Sequence, residues 1–283
     1  MDISRIEEPD GAKMQMNPTL QRWIPASVGI QFTTFVLALM VPLRAFAELS
    51  NESLLGPGLR LRPAYDGSDS QQGELVPVVR YFGHPWFARS TQGVLEGGVR
   101  VELAPGLHAG AQLAYEPGRQ TSESDFLKSH SVPGVDRGAS IGAHLEWDHT
   151  FGPMPITLLA RVRQHTDGDR GAQADFRLSA GVYQSGRFAA GVFTQGTWAN
   201  TKSTGSFYDI TPQQSVTTGL PAFSAESGWL FASFGVLWSV DLNKNWVVVG
   251  NLESRHLLGD ASRSPLAERD ANFYTSAGLA YRF

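Results

Sequence analysis

Apolar and polar residues alternate one by one through most of the chain after residue 48, and this period of two constrains the fold more than any other feature. In residues 139–148, for example, Ile141, Leu145 and Trp147 are separated by small or polar residues, and residues 107–116 and 174–183 repeat the pattern. Successive side chains of a β-strand point to opposite faces, so each segment is predicted to be a strand with one apolar face. These segments are about twice as long as the usual strand of a soluble domain.

The connections between the predicted strands alternate between short and long. Short turns are predicted near residues 104–106, 151–153, 184–186 and 243–245, and longer polar links at residues 117–135, 166–171, 199–222 and 257–270. A meander with tight turns at one end and long loops at the other is typical of an outer-membrane protein. The sequence therefore predicts an all-β fold, an antiparallel up-and-down transmembrane β-barrel.

Counting strands backwards from the last one, residues 271–283, gives about 12 in residues 57–283, an even number as a closed bacterial barrel requires. The uncertain part is the glycine-rich stretch 93–98, which is interpreted as a turn between strands near 86–94 and 98–103. If that stretch is instead a bulge within one strand, the amino-terminal region changes and the alternative count is ten.

The polar face of each strand is predicted to line the lumen, and the apolar face to contact lipid. After residue 48 lysine occurs only at Lys128, Lys202 and Lys244, all in predicted loops or turns, whereas a soluble barrel would carry lysine on its exposed strand faces. Charges inside a narrow lumen must be paired. The expected sets are Asp175 with Arg177, Glu102 with Arg100, and Arg161 and Arg163 with Glu146 or Asp148.

The last strand ends on an aromatic residue at the carboxyl terminus. Its predicted lipid-facing set includes Leu279, Tyr281 and Phe283. Such an alternating final strand resembles the barrel insertion signal that the outer-membrane assembly machinery reads. The expected surroundings are outer-membrane lipid, in the outer membrane of a Gram-negative bacterium.

The first 47 residues are predicted to be a cleaved signal peptide. Arg22 precedes a short apolar core at residues 35–43, which is too short to span a membrane as a helix, and small residues at Ala45 and Ala47 place the cleavage before Glu48. The true start is expected at Met14 or Met16, because the preceding stretch is acidic where a signal peptide is basic. Residues 48–56 are expected to form a short periplasmic segment before the barrel.

Composition excludes several classes of function. The formal net charge of −4 gives no basic surface for nucleic acid, and the absence of cysteine excludes thiolate metal sites and thiol nucleophiles. His144 lies near Glu146 on the polar face, but Ser140, four residues away, is about 13 Å along the strand and too far to bond to it. We therefore expect no catalytic residues, no metal ligands and no cofactor, and thus no enzyme.

Four loop motifs resemble the MipA/OmpV family of outer-membrane proteins. They lie at residues 65–69, 208–223 and 257–265 and in the final Tyr281-Arg282-Phe283, so the resemblance covers nearly all of residues 57–283. The signature residues, of unassigned role, are Tyr65, Gly67, Ser68, Tyr208, Thr211, Pro212, Ser215, Gly219, Leu220, Pro221, Gly259, Asp260, Ser264 and Pro265.

The resemblance implies a non-enzymatic scaffold that brings a murein lytic transglycosylase together with a bifunctional murein synthase. Two alternatives remain at this point. The first is a narrow channel or solute-uptake pore, because a barrel of this size can leave a small lumen or fill it with side chains. The second is a surface antigen or adhesin that acts through the long outer loops, above all residues 199–222.

Overall fold

The computed structural model describes residues 52–283, and in this part of the chain twelve antiparallel strands form one closed barrel. Each strand pairs with its neighbours in sequence, and β1 pairs with β12 to close the ring. The strands are β1 Leu54–Pro63, β2 Gln71–Phe82, β3 Trp86–Thr91, β4 Val94–Ala104, β5 Leu107–Glu116, β6 Gly138–Phe151, β7 Met154–His165, β8 Ala172–Ser185, β9 Phe188–Ala199, β10 Gly228–Asp241, β11 Trp246–Leu257 and β12 Ala271–Arg282. The predicted fold class and the count of twelve are confirmed. The predicted cleavage site at Ala45, Ala47 and Glu48 lies outside the described residues.

The apolar faces of the strands point outward. Ile141, Leu145, Phe176 and Leu178 are all exposed on the barrel surface, as their alternation with small and polar residues predicted. An apolar outer surface around a polar interior is the arrangement of a barrel whose solvent is lipid.

The turn between β3 and β4 lies earlier than the sequence indicated. Gln92 and Gly93 form it with φ angles of 52° and 83°, so the glycine-rich stretch that follows belongs to β4. A Cβ atom on Gly98 would lie 2.0 Å from the carbonyl oxygen of Ala111 on β5. Gly98 is therefore required for the close approach of a neighbouring strand and not for a turn.

Four short helices occur in the long loops, all at the same end of the barrel. They are α1 Asp125–Ser129, α2 Thr201–Tyr208, α3 Pro212–Thr218 and α4 Gly259–Arg263, with 3₁₀ turns at Thr121–Glu123 and Gly168–Arg170. None of the helices within residues 52–283 is long and apolar enough to cross a membrane.

Both ends of the described chain meet at the short-turn end. The backbone N–H of Phe283 donates to the carbonyl of Ser53 at 3.2 Å, and Arg282 pairs with Glu52 at 2.9 Å. Leu279 and Tyr281 face outward, and the ring of Tyr281 lies 5.3 Å from that of Trp246 on β11. Aromatic rings at this level are typical of the girdle at a membrane interface.

Candidate functional site

Buried charges fill the half of the lumen nearer the long loops. Arg161 on β7 donates to Glu96 on β4 and to Asp175 on β8, each at 2.7 Å. Arg163 adds a second contact to Asp175 at 3.1 Å, and Arg89 pairs with Glu96. Both carboxylates are almost completely buried, so each needs the two guanidinium groups that surround it. The network fixes the side chains of four strands across the interior.

A second layer of the network joins β3, β4, β5 and β6. Glu146 accepts from Arg89 at 2.5 Å and from Arg100 at 3.4 Å. The amide of Gln112 donates to Glu96 at 2.8 Å, and its oxygen lies 2.7 Å from Nδ1 of His144. His144 is therefore held by an amide within the network, with no free acid beside it that would orient it as a base.

Two of the predicted ion pairs within single strands are wrong. Asp175 does not pair with Arg177, whose guanidinium instead contacts the neutral oxygens of Ser179 and Gln195, and Glu102 accepts from the backbone N–H of Gly106. Side chains two residues apart on a strand project in parallel from positions nearly 7 Å apart. Asp175 instead lies opposite Arg161 in the register of β7 and β8, and this cross-strand neighbour is its partner.

The third predicted set is also wrong. Arg161 and Arg163 contact Glu96, Asp175 and, at 2.9 Å, Glu116, rather than Glu146 or Asp148. The sequence supplied the inward face of each strand, but it contained no signal for the distance across the lumen between strands that are not neighbours.

Asp66, in the loop between β1 and β2, is the centre of a contact cluster at the long-loop end. Arg255 donates from Nη1 to both of its carboxylate oxygens at 2.9 and 3.1 Å, and Arg255 also pairs with Glu253 at 3.1 Å. The hydroxyl of Tyr274 donates to the same carboxylate, and that of Tyr208 donates to the Asp66 carbonyl at 3.0 Å. This cluster was not predicted, although its position between the signature residues Tyr65 and Gly67 was a signal.

The signature residues next to Asp66 tie the first loop to the last. Tyr65 donates its hydroxyl to the carbonyl of Leu266 at 2.9 Å. The N–H of Gly67 donates to Asn272 at 2.6 Å, and the Asn272 amide returns a hydrogen bond to the Ser68 carbonyl at 2.7 Å. Gly67 has a φ of 100°, a conformation that favours glycine. These residues therefore hold two loops together.

Tyr208 and Ser264 connect the loop between β9 and β10 to the loop between β11 and β12. The Ser264 hydroxyl donates to the carbonyl of Tyr208 at 2.7 Å. Two apolar clusters surround this contact. The first is Ala199, Tyr208, Ala225, Leu230, Phe231, Leu257 and Ala261, and the second is Ala64, Tyr65, Leu127, Val132, Ile210 and Leu266. Four of the long loops thus share a small core that covers the end of the barrel.

Burial at this end shifts the pKa values of three groups. It raises the pKa of Tyr65, with Glu268 adding to the effect, and it raises the pKa of Tyr208 well above its usual range, with a further contribution from Asp66. Burial lowers the pKa of Arg119, whose guanidinium lies 5.7 Å from the Tyr65 ring. Both tyrosines therefore stay protonated and act as hydrogen-bond donors at neutral pH.

Several signature residues form the ends of helix α3. Thr211 caps its amino terminus and forms a capping box with Gln214, and Pro212 occupies the first turn. Gly219 ends the helix in the left-handed region with a φ of 71°. Thr211 and Pro212 thus start the helix and Gly219 ends it. All three residues are exposed, away from the Asp66 cluster.

The remaining signature residues shape their own loops. Ser215 donates to the carbonyl of Leu220 at 2.6 Å, and Asp260 accepts from the backbone N–H of Glu226 at 2.7 Å. Gly259 begins α4 with a φ of 55°. Pro221 is exposed and Pro265 is half-buried. Leu220 packs against the apolar cluster that contains Tyr65. The structure thus brings together the signature residues Tyr65, Gly67, Ser68, Tyr208, Leu220 and Ser264.

The half of the lumen nearer the short turns is a cavity of about 410 Å³, called here the short-turn cavity. Small and apolar side chains such as Val78, Leu237 and Ser239 line it, together with Arg89 and Arg177. The two halves of the lumen therefore differ: one is filled by paired charges and the other has room for a ligand.

Ser140 and His144, on the polar face of β6, do not bond to each other. Ser140 donates to Glu116 and not to His144, and His108 lies 3.8 Å from Asp148. Within residues 52–283, no group of three or more His, Asp and Glu side chains is placed to hold a metal ion.

The model of the family described as MltA-interacting protein MipA matches residues 55–283. No curated protein matches the sequence significantly.

The solved structures that resemble this chain include several outer-membrane barrels. The COG4313 outer membrane channel from Pseudomonas putida F1 is 11% identical with a TM-score of 0.47, over 82% of this chain and 96% of that one. A bacterial polysaccharide outer membrane secretin is 11% identical with a TM-score of 0.41, over 83% and 99% of the two chains. The NanC porin is 4% identical with a TM-score of 0.38, over 82% and 100%.

Proposed function

The chain belongs to the MltA-interacting protein MipA family, and from this membership we propose that it is an outer-membrane scaffold for murein-remodelling enzymes. The partner named in the family description is the murein lytic transglycosylase MltA, and a bifunctional murein synthase would be brought to it. The proposed location is the outer membrane of a Gram-negative bacterium. The family match over residues 55–283 is the observation that carries the proposal.

The short-turn end is the face that a periplasmic enzyme would meet. Bacterial barrels place their short turns in the periplasm and their long loops outside the cell. The turns between β4 and β5, β6 and β7, and β8 and β9 each contain two residues, and residues 242–245 connect β10 to β11. The signature loops lie at the opposite end, so their contacts serve the barrel itself and not the enzyme.

The available turns are small for a stable complex. A standard interface buries about 800 Å² on each partner, which is more than these four turns and residues 83–85 between β2 and β3 provide. The segment before β1, held at this end by the contacts of Arg282 and Phe283, adds surface beside the turns. We therefore propose that residues 48–53, the part of residues 48–57 that precedes β1, take part in binding.

The lumen supports a scaffold better than a channel. Glu96, Arg161 and Asp175 are buried and ion-paired across the long-loop half, and the shared loop core covers that end. A solute would have to break paired charges in a low dielectric to pass. We also propose that the protein is not an enzyme. Ser140 is hydrogen-bonded to Glu116 and His144 to Gln112, so the two do not form a nucleophile–base pair.

A binding assay with purified components tests the scaffold. The protein in nanodiscs would be immobilised, and the soluble part of a murein lytic transglycosylase from the same organism passed over it. We expect saturable binding that weakens at least tenfold on deletion of residues 48–53 and in the double variant Arg187→Glu, Lys244→Glu, which reverses charge at two short turns.

The matched control is Lys202→Glu, a charge reversal at the long-loop end. It should leave the affinity unchanged, because α2 faces away from the periplasm. Absence of binding by the wild type, or a loss confined to the loop variant, would contradict the proposal.

A further inference from the structure

The β3–β4 hairpin leaves part of the barrel wall unpaired. β2 pairs with β1 from Gln71 to Arg80, but with β3 only from Arg80 to Phe82. In the described part of the chain, no strand pairs with the other edge of residues 71–78. Pro77 lies in this edge, and proline is confined to such edges because it has no N–H to donate.

The tip of the hairpin points into the lumen, which explains the unpaired edge. Gln92 donates from Nε2 to Glu253 on β11 at 2.9 Å, although β1 and β12 lie between β11 and β2 in the wall. At Gly93 a Cβ atom would lie 1.8 Å from Nη1 of Arg60, so the turn packs directly on an inward-facing arginine. The hairpin therefore leans away from residues 71–78 of β2, the half of that strand nearer the long loops.

The short-turn cavity borders this unpaired edge. Its lining includes Val76, Pro77 and Val78 of β2 and Leu95 of β4. Because no strand pairs with residues 71–78 on this side, the wall beside the cavity has a gap there. The opening lies between β2 and the β3–β4 hairpin.

One wall of the cavity is apolar, in contrast to the charged half of the lumen nearer the long loops. Leu54, Val78 and Val249 line this wall, and behind them Val247 and Ala280 complete a buried cluster on the inner face of β1, β2, β11 and β12. A lumen filled only by water would have polar walls. This wall adjoins the unpaired edge of β2 and is suited to an alkyl chain.

The charged side chains of the cavity favour an anion. Its lining contains four arginines, Arg60, Arg80, Arg89 and Arg177, and two carboxylates, Glu146 and Asp148. Arg177 takes part in none of the ion pairs found within residues 52–283 and contacts only Ser179 and Gln195 oxygens, at 3.3 Å each, and the Phe193 ring. Its guanidinium is thus available to a carboxylate or phosphate.

We propose that the short-turn cavity binds a single-chain amphiphile with an anionic head group. The head group lies at Arg177, and the chain runs along the apolar wall and through the opening beside β2. The volume of about 410 Å³ is within the usual range for small-molecule sites. The inference rests on the membrane location but not on the murein partner.

Fluorescence of cis-parinaric acid tests the site, with its methyl ester as the neutral control. With the full-length protein in phosphatidylcholine nanodiscs, we expect saturable binding of the acid at about one per barrel and at least tenfold weaker binding of the ester. Arg177→Gln should weaken the acid at least tenfold and leave the ester unchanged. Arg187→Gln, at an exposed turn, is the matched control and should change neither.

A second variant tests the apolar wall and does not depend on the folding of Arg177→Gln. Val78→Trp fills the apolar wall and should abolish binding of both probes. Displacement of the bound acid by oleate or by lysophosphatidate identifies a free fatty acid or a lipid phosphate as the ligand. Equal binding of acid and ester, or no displacement by either lipid, would overturn the proposal.

The side opening has its own test. Leu95→Trp should slow exchange of the probe with the bilayer several-fold, whereas Leu145→Trp, on the lipid face of β6, should not. Equal exchange rates in the two variants would disprove entry beside β2. Transglycosylase binding should be the same in wild type and Arg177→Gln, so failure of one proposal is distinguishable from failure of the other.

Discussion

Tyr208, in the loop between β9 and β10, donates its hydroxyl to the backbone carbonyl of Asp66, 142 residues earlier in the loop between β1 and β2. Because the Asp66 side chain is held by Arg255 from β11, this one contact joins a loop to the barrel interior at its long-loop end.

Tyr208→Phe should lower the free energy of unfolding by about 1–2 kcal/mol, because the buried carbonyl of Asp66 loses its donor. The measurement is urea unfolding of the protein in lipid vesicles. Tyr115→Phe on the lipid-facing surface is the control and should have no effect beyond about 0.5 kcal/mol. Equal effects in the two variants would contradict the role assigned to Tyr208.

Tyr208 should also make the barrel sensitive to alkaline pH. Its pKa is raised in the folded state, so the folded protein retains a proton that the unfolded chain releases near pH 10. The contribution is complete below that pH and is lost as the pH rises further, at up to about 1.4 kcal/mol per pH unit. Unfolding followed between pH 9 and 11.5 should show this loss in the wild type and a shallower one in Tyr208→Phe. Parallel pH profiles would disprove the assignment.

Arg255→Leu should destabilise the barrel by about 3–5 kcal/mol, since it leaves the carboxylates of Asp66 and Glu253 without their common partner. Urea midpoints from vesicles would measure the loss. Arg269→Leu removes an exposed arginine whose pair with Asp69 is 3.8 Å long, and it should cost less than about 1 kcal/mol. A small effect at Arg255 would mean that the cluster does not hold the loops.

The purified protein should show no steady conductance in planar bilayers. The paired charges around Asp175 and the loop core occupy the long-loop half of the lumen, so ions find no continuous aqueous path there. A general porin in the same bilayers provides the positive control. Regular single-channel steps from the wild type would overturn the closed lumen and favour transport.

Leu252→Lys should impair assembly, whereas Asn251→Lys should be tolerated. The two residues are neighbours in the middle of β11, and Leu252 is 55% exposed on the outer face while Asn251 lines the cavity. A lysine facing lipid near mid-bilayer costs about 2–4 kcal/mol, and one facing the lumen keeps its hydration. Heat-modifiable migration in gels reports folding. Similar behaviour of the two variants would contradict the assigned orientation of the strands.

The alternation of residues predicted the strands and the two faces of each one, because the period of side chains along a strand is a local property. The positions of the three lysines after residue 48 indicated which face is outward, and the spacing of turn residues separated short turns from long loops. The choice between twelve strands and ten needed the structure. Four signature motifs were visible in the sequence, but not that Tyr65, Tyr208 and Ser264 would meet over Asp66. Only the closed barrel decided that, since it brings loops from distant strands to one rim. The tertiary structure likewise decided that Asp175 pairs with Arg161 rather than Arg177, and that Gln92 reaches Glu253. The first contact depends on the register between β7 and β8 and the second on the lean of one hairpin into the lumen, and no local pattern encodes either of them.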